Sequence, residues 1–182
     1  MLIIDNYDSF TYNIVQYIKR IGIDPIVIKN DELTLKEIKE LSFARILLSP
    51  GWGNPENSGI TMEVIDYYKN KKSILGVCLG MQCIAKYFGA KIVKAPEPFH
   101  GKNSQIFFDK DFELFEGLEQ GFSATRYHSL IVKDCPYIKA ATRDKIPMAL
   151  KVDKLPIYGV QFHPEAILTE NGIKIFENWI NI

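Results

Sequence analysis

Cys78 stands between two glycines in the segment Gly76-Val-Cys-Leu-Gly80, which follows an apolar stretch and precedes a helical pattern that ends at Gly89. A cysteine at such a strand-to-helix turn is the thiol form of the nucleophile elbow, in which the backbone of the nucleophile is strained. Side chains at Gly76 and Gly80 would collide across the turn. The N–H groups and the positive dipole end of the following helix favour a thiolate. The segment therefore predicts a nucleophilic cysteine, which needs a base elsewhere in the chain.

Three histidines are candidates for that base. His163 follows an apolar stretch, in the sequence Val-Gln-Phe-His-Pro-Glu. Residues i and i+2 of an extended chain point to the same side, so Glu165 can orient the His163 imidazole. The other two, His100 and His128, have no carboxylate two positions away. Together with Cys78 the pattern predicts a nucleophile, a base and an orienting carboxylate.

Alternating strand and helix patterns must position these residues. The N-terminal half predicts strands at 2–4, 25–28, 44–48 and 74–77 and helices at 10–20, 35–41 and 61–70, with Ser9 as a candidate N-cap. This alternation is typical of a parallel α/β sheet, whose ligands lie beyond the carboxyl ends of the strands. The second half predicts strands at 101–109, 122–132, 138–142, 148–152 and 157–162 and a helix at 172–180. We expect one α/β domain over 1–182, open and mostly parallel, with a more antiparallel β-rich C-terminal half.

Composition excludes several classes of function. Lys plus Arg and Asp plus Glu both number 22, so no charge excess favours nucleic acid or an acidic membrane. No apolar run approaches the roughly 18 residues that span a bilayer, and Asp5 interrupts the first apolar run before a signal-peptide core. Three cysteines have neither a disulfide pattern nor zinc-like spacing. We expect no membrane or nucleic-acid partner, a cytoplasmic location, and core packing for Cys83 and Cys135.

Six short motifs follow one another along the chain: Asp5–Asn13, Ser49–Gly53, Gly76–Gln82, His100–Lys102, Arg126–Leu130 and Gly159–Glu165. In these segments the chain resembles the class I, triad-type glutamine amidotransferases, which have a flavodoxin-like sheet. The elbow and His-Pro-Glu are shared across that class. The first and fifth segments are especially similar to the glutaminase subunit, component II, of anthranilate synthase and aminodeoxychorismate synthase.

The resemblance implies that Cys78 attacks the side-chain amide carbon of glutamine and forms a γ-glutamyl thioester, which water hydrolyses to glutamate. His163 would take the thiol proton and give it to the departing ammonia. The oxyanion hole would consist of the backbone N–H groups of Gly53 and Leu79. The residues implied to hold glutamine are Gly51, Trp52, Gly53, Gln82, Ser129 and Leu130.

The resemblance also implies a partner. Ammonia would pass to a chorismate-binding component I synthase subunit in a hetero-oligomer, and Mg²⁺ would belong to that subunit. For this chain we expect no cofactor and no metal. The sequence leaves open whether the product is anthranilate, aminodeoxychorismate or both. The alternatives are a glutaminase for GMP or carbamoyl phosphate synthesis, a peptidase on the same elbow, and a regulatory subunit without catalysis.

Three positions depart from the family pattern. Trp52 replaces a usual proline, and it either loosens the backbone N–H of Gly53, covers the site or the partner surface, or is a plain surface aromatic. Met81 replaces a frequent histidine, which argues against a role for that histidine here. Ala166 replaces a frequent serine, so support for the triad must come from backbone groups or water.

Overall fold

The computed structural model describes residues 1–182, which form nine strands and five α-helices. No helix among them is both long enough and apolar enough to cross a membrane. The strands are β1 (Leu2–Asn6), β2 (Ile26–Lys29), β3 (Arg45–Gly51), β4 (Ser73–Val77), β5 (Lys91–Phe108), β6 (Phe122–Lys133), β7 (Ile138–Thr142), β8 (Pro147–Lys151) and β9 (Ile157–Val160). The helices are α1 (Thr11–Arg20), α2 (Leu35–Glu40), α3 (Thr61–Tyr68), α4 (Leu79–Tyr87) and α5 (Gly172–Asn181).

All nine strands belong to one mixed sheet, in the order β2-β1-β3-β4-β9-β8-β7-β5-β6. The first five strands of that order are parallel to one another. The remaining pairs are antiparallel. Parallel neighbours need a crossover, which the helices supply. In the antiparallel part, short turns join β7 to β8 and β8 to β9, and the longer segment 109–121 joins β5 to β6. The α/β fold with a more antiparallel C-terminal half is therefore confirmed.

The central parallel strands are buried on both faces, which is why they are continuously apolar. On one face Ile3, Leu47 and Leu75 pack with α1 and α5, including the fully buried Trp179. On the other face alternate strand residues pack with α2, α3 and α4. This double cover fixes the carboxyl ends of β3, β4 and β9, where the site residues follow.

Two local predictions were wrong. Helix α1 begins at Thr11 after Phe10, and no side chain caps it, so Ser9 is not its N-cap. Strand β5 begins ten residues before the predicted start at 101. Two prolines there argued against a strand, because proline donates no ladder hydrogen bond. The structure accommodates Pro96 and Pro98 in an irregularity, where the pairing with β6 shifts register between Lys94 and Phe99.

Candidate active site

The backbone of Cys78 is strained at the turn between β4 and α4. Its φ is 51° and its ψ is −103°, a left-handed region that non-glycine residues rarely adopt. A Cβ at Gly76 would lie 2.4 Å from the backbone carbon of Gly80, and one at Gly80 would lie 2.3 Å from the carbonyl oxygen of Leu48. The expected collision across the turn is confirmed at Gly76, whereas a side chain at Gly80 would collide with the neighbouring strand β3. Both positions therefore require glycine.

The sulfur of Cys78 lies in a polar environment although the residue is only 4% exposed. The thiol donates to the carbonyl oxygen of Tyr127, with the sulfur 3.9 Å away. Nε2 of Gln161 donates to the sulfur at 3.6 Å. Leu79, the first residue of α4, follows directly, so the helix N-terminus also faces this position. The sulfur therefore has a donor that can stabilise its anionic form.

His163 and Glu165 form the buried pair that the sequence predicts. Nδ1 of His163 lies 2.7 Å from Oε1 of Glu165. The His163 backbone is held by Thr125, whose carbonyl oxygen accepts from the His163 N–H at 2.9 Å. Thr169 donates its hydroxyl to the His163 carbonyl oxygen at 2.7 Å. These contacts fix the imidazole at the carboxyl end of β9.

Burial lowers the pKa of His163, but the negative charge of Glu165, the proximity of Cys78 and the hydrogen bond with Glu165 outweigh that effect, so the net pKa lies well above the ordinary 6.5. Nε2 of His163 is buried and has no well-aligned hydrogen-bond partner. This nitrogen is the one left free to exchange a proton with the sulfur or a bound substrate. The geometry suits a thiolate–imidazolium pair.

The second oxygen of Glu165 accepts no hydrogen bond from the protein. Ala166, where the family often has serine, is buried, and its N–H donates to the His163 carbonyl oxygen at 3.2 Å. No backbone group therefore takes the place of the serine hydroxyl at Glu165 Oε2.

Two aromatic rings enclose the His163 imidazole. The ring centroid of Phe10 lies 5.4 Å away and that of Tyr127 lies 5.3 Å away, both edge-on. Neither residue was predicted from the sequence as a neighbour of the base. Their only available signal was their place in the Asp5–Asn13 and Arg126–Leu130 segments, because no spacing rule connects either ring to His163.

The predicted oxyanion turn follows β3. Gly53 has a φ of 88°, which glycine adopts without strain. A Cβ at Gly51 would lie 2.6 Å from Cβ of Asn6, so the turn lies tightly against β1. Asn6 also holds Ser49, since its N–H donates to the Ser49 hydroxyl at 2.8 Å and its side-chain amide donates to the Ser49 carbonyl at 3.0 Å. This anchoring brings Gly53 to the rim of the same cavity as Cys78.

A cavity of about 280 Å³ opens at the elbow, at the small end of ligand-binding cavities. All six residues predicted to hold glutamine line it. Its full lining is Asp8, Gly51, Trp52, Gly53, Cys78, Gln82, His100, Tyr127, His128, Ser129 and Leu130. The structure thus brings the predicted binding residues together around the nucleophile, and their contact with glutamine stays a prediction.

The side chain of Gln82 has both amide hydrogens engaged by the protein. Its Nε2 donates to the Leu130 carbonyl at 3.2 Å and to Oε1 of Gln161 at 3.1 Å. Only the carbonyl oxygen of Gln82 remains for a ligand. Gln161 was not singled out from the sequence, although it lies two residues before His163 in the same motif.

His128 lies within strand β6 and is held neutral. Nε of Arg126 donates to its Nε2 at 3.0 Å, so Nδ1 carries the proton and donates to the Leu130 carbonyl at 2.9 Å. Burial and the charge of Arg126 lower the pKa of His128 to about 4. An imidazole with this pKa and with both nitrogens occupied is a poor candidate for the base.

Residues predicted to be inert lie away from the cavity. Cys83 is fully buried, and burial raises the pKa of its thiol to about 12. Met81 is also fully buried and packs against Gly159 of β9, where an added Cβ would lie 2.8 Å from Cγ of Met81.

Trp52, in contrast, is 77% exposed at the rim of the cavity. Nowhere do three or more His, Cys, Asp or Glu side chains cluster as at a metal site.

A strained cysteine elbow beside a buried His–Glu pair defines a thiol amidase or amidotransferase class of site. The glutamine amidotransferase class-I family profile matches residues 2–182. The chain belongs to the class I glutamine amidotransferase family, as the resemblance in its motifs implied.

Similar proteins cover the whole chain. Anthranilate synthase component 2 of Cyanophora paradoxa is 49% identical over 100% of this chain and 98% of its own length. Aminodeoxychorismate/anthranilate synthase component 2 of Bacillus subtilis is 46% identical over 99% of this chain and 95% of its own length. The crystal structure of a GMP synthase subunit from Thermoplasma acidophilum has a TM-score of 0.87 at 26% identity, covering 99% of this chain and 91% of its own.

Proposed function

We propose that residues 1–182 form one glutaminase domain that hydrolyses L-glutamine through Cys78 and delivers ammonia to a chorismate-binding synthase subunit. The observation that carries the proposal is that the strained Cys78 elbow, which lines one small cavity, lies beside the buried His163–Glu165 pair. A glutaminase needs this set, because an amide carbon must be attacked while its nitrogen is protonated.

In the first step the Cys78 thiolate adds to the δ-carbon of glutamine, and the carbonyl oxygen becomes an oxyanion. The backbone N–H groups of Gly53 and Leu79 receive that charge, each donor contributing about 3 kcal/mol in comparable enzymes. Protonated His163 then gives its Nε2 proton to the amide nitrogen. The C–N bond breaks, ammonia leaves, and a γ-glutamyl thioester remains on the sulfur.

In the second step neutral His163 accepts a proton from water as the water oxygen adds to the thioester carbon. The C–S bond breaks, glutamate is released, and the thiolate–imidazolium pair is restored. Because Glu165 keeps the pKa of His163 well above 6.5, the imidazolium needed for the first step is present at neutral pH. Glu165 thus orients the base and sets its charge.

The glutamine side chain and main chain are held by the lining residues already predicted. The carbonyl oxygen of Gln82 accepts from the substrate, since both of its amide hydrogens are engaged. The strand residues Ser129 and Leu130 and the turn from Gly51 through Trp52 to Gly53 also line the cavity. This small polar cavity suits a free amino acid better than a peptide chain.

Ammonia goes to a component I subunit that binds chorismate and carries Mg²⁺, and the two subunits form a hetero-oligomer in the cytoplasm, where the thiol stays reduced. Support comes from the names of the two full-length relatives at 49% and 46% identity. The name of the Bacillus subtilis relative includes both aminodeoxychorismate synthase and anthranilate synthase. We therefore include in the proposal that this one subunit supplies ammonia to two synthases. A GMP synthase role is disfavoured because that structural relative is only 26% identical.

The test combines this protein with each candidate chorismate-binding subunit, chorismate, Mg²⁺ and either glutamine or ammonium. We expect glutamine to support formation of anthranilate, aminodeoxychorismate or both, and Cys78→Ala to abolish that reaction while leaving the ammonium-driven one intact. We also expect glutamine turnover to rise when the partner is added. Equal turnover with and without every partner, or product formation from glutamine by Cys78→Ala, would contradict the proposal.

A further inference from the structure

We propose that Gln161 is a positioning residue for the nucleophile: its side-chain N–H holds the Cys78 sulfur and stabilises the thiolate that attacks glutamine. This inference rests on the proposed function. Gln161 is fully buried, and its Nε2 lies 3.6 Å from the sulfur. It follows β9 two residues before His163, so the short segment after the strand carries both the donor to the sulfur and the base.

The orientation of the Gln161 amide follows from neighbouring groups that can act only as hydrogen-bond donors or only as acceptors. The carbonyl oxygen of Leu130 can only accept, so the amide nitrogen of Gln82 must face it, at 3.2 Å. The same nitrogen donates to Oε1 of Gln161 at 3.1 Å. The Gln161 nitrogen must then face the sulfur. If the Gln161 amide were rotated by 180°, its N–H group would face the N–H group of Gln82, and its oxygen would face the thiolate.

The far end of this chain of hydrogen bonds is fixed in the same way. Arg126 is always a donor, so His128 accepts from it at Nε2 and donates from Nδ1 to the Leu130 carbonyl. That carbonyl therefore receives N–H groups from both His128 and Gln82. Four groups from β6 and α4 thus set which atom of Gln161 meets the sulfur.

The chemistry of the sulfur explains why a donor is needed. The Cys78 thiol donates to the Tyr127 carbonyl, with the sulfur 3.9 Å from the oxygen. A thiolate cannot donate, and the carbonyl dipole then opposes the negative charge. The N–H of Gln161 counteracts that opposition, because charge-assisted hydrogen bonds are stronger than neutral ones. Without the donor, the neutral thiol bound to Tyr127 gains population at the expense of the nucleophile.

Four other titratable groups line the cavity, namely Tyr127 and His128 on β6, His100 on β5 and Asp8 after β1. A fifth, His163 after β9, interacts with Cys78. His128 is neutral above about pH 4 because of its burial and the charge of Arg126. All five are retained when only residue 161 is changed, so a difference between pH profiles reports on residue 161.

The experiment measures alkylation of Cys78 by iodoacetamide in the full chain without glutamine or partner. The sulfur displaces iodide, and peptide mass spectrometry separates Cys78 from Cys83 and Cys135. The variants are Gln161→Met, which lacks a donor at similar length, and Gln161→Glu, which has the same shape and, when ionised, acceptors only. The control is Gln16→Met on the exposed face of α1.

We expect the midpoint of the alkylation profile to move about one pH unit upward in Gln161→Met, a tenfold loss of rate below the midpoint. Gln161→Glu should move it further, and Gln16→Met should leave it unchanged. In glutamine turnover with the partner, kcat should fall about tenfold while KM stays near the wild-type value. Circular dichroism confirms folding, and the isosteric Glu variant provides the test if the Met variant does not fold.

Unchanged midpoints with a uniformly lower rate would overturn the inference, because a merely structural role lowers the amount of competent protein without moving the profile. The proposed function fails by a different result, namely glutamine hydrolysis that survives Cys78→Ala. The two failures are therefore distinguishable within one set of proteins.

Discussion

Oε1 of Glu165 lies 2.7 Å from Nδ1 of His163, and both side chains are buried where the chain leaves β9. This is the only ion pair of the protein with both partners buried in the core. A buried pair loses much when one charge is removed, because the other charge is left without compensation. The relationship therefore predicts effects on stability as well as on turnover.

Glu165→Gln tests that pair through the pH dependence of stability. The folded pKa of His163 is raised above 6.5, so the pair contributes fully below that pH and its contribution is lost as pH rises through the raised pKa. We expect a loss of about 2 kcal/mol at about pH 6 and a loss that becomes smaller as pH rises through the raised pKa. Urea unfolding of both proteins over a series of pH values measures this loss, and a loss that grows with pH would contradict the expectation.

His128→Asn tests a pH dependence of stability with the opposite sign. The folded pKa of His128 is lowered to about 4 by burial and Arg126, so its neutral form stabilises the fold above pH 6.5 and that stability is lost as pH falls from 6.5 to 4. The variant should therefore lose less stability than the wild type over this interval, by about 3 kcal/mol. Parallel unfolding curves are the measurement, and identical acid sensitivity would mean that His128 is not held neutral.

Gly76→Ala tests the close approach at the elbow. The added Cβ would lie 2.4 Å from the backbone of Gly80, so we expect a loss of about 3 kcal/mol and loss of glutamine turnover. The matched control is Gly89→Ala, where φ is 92° but nothing lies within 4 Å of the added Cβ. The control should lose only about 1 kcal/mol from backbone strain and keep its turnover. Equal losses in the two variants would mean that crowding is not the constraint.

Trp52→Pro tests the departure in the oxyanion turn. The indole is 77% exposed at the cavity rim, and proline would fix φ beside Gly53. We expect turnover with the partner to stay within about threefold of the wild type, since the backbone N–H of Gly53 is retained. Steady-state kinetics with the partner checks this, and a complete loss would assign the indole itself to the site.

Local sequence patterns predicted much of this fold. The β4 strand, the glycines around Cys78 and the i, i+2 relation of His163 to Glu165 are local, so the sequence contains them directly. The parallel sheet followed from strands that alternate with helices. The early start of β5 did not follow, because Pro96 and Pro98 obscure a strand that tolerates them only through a register shift with β6.

Contacts between distant segments were the ones that the sequence could not reveal. Phe10 and Tyr127 meet His163 from elements more than a hundred and more than thirty residues away. The contact of Gln161 with Cys78 spans 83 residues. No periodicity encodes such pairings, because they depend on how β4, β6 and β9 lie in the finished sheet.

The proposed mechanism requires Cys78 to carry the γ-glutamyl group during glutamine hydrolysis. This intermediate can be trapped by mixing the protein and its synthase partner with glutamine, quenching turnover with acid, and locating the adduct by peptide mass spectrometry. We expect one γ-glutamyl group on the Cys78 peptide, with none on Cys83 or Cys135 and none in Cys78→Ala. Glutamate formation with no adduct at Cys78, or with the adduct on another residue, would show that the mechanism is wrong.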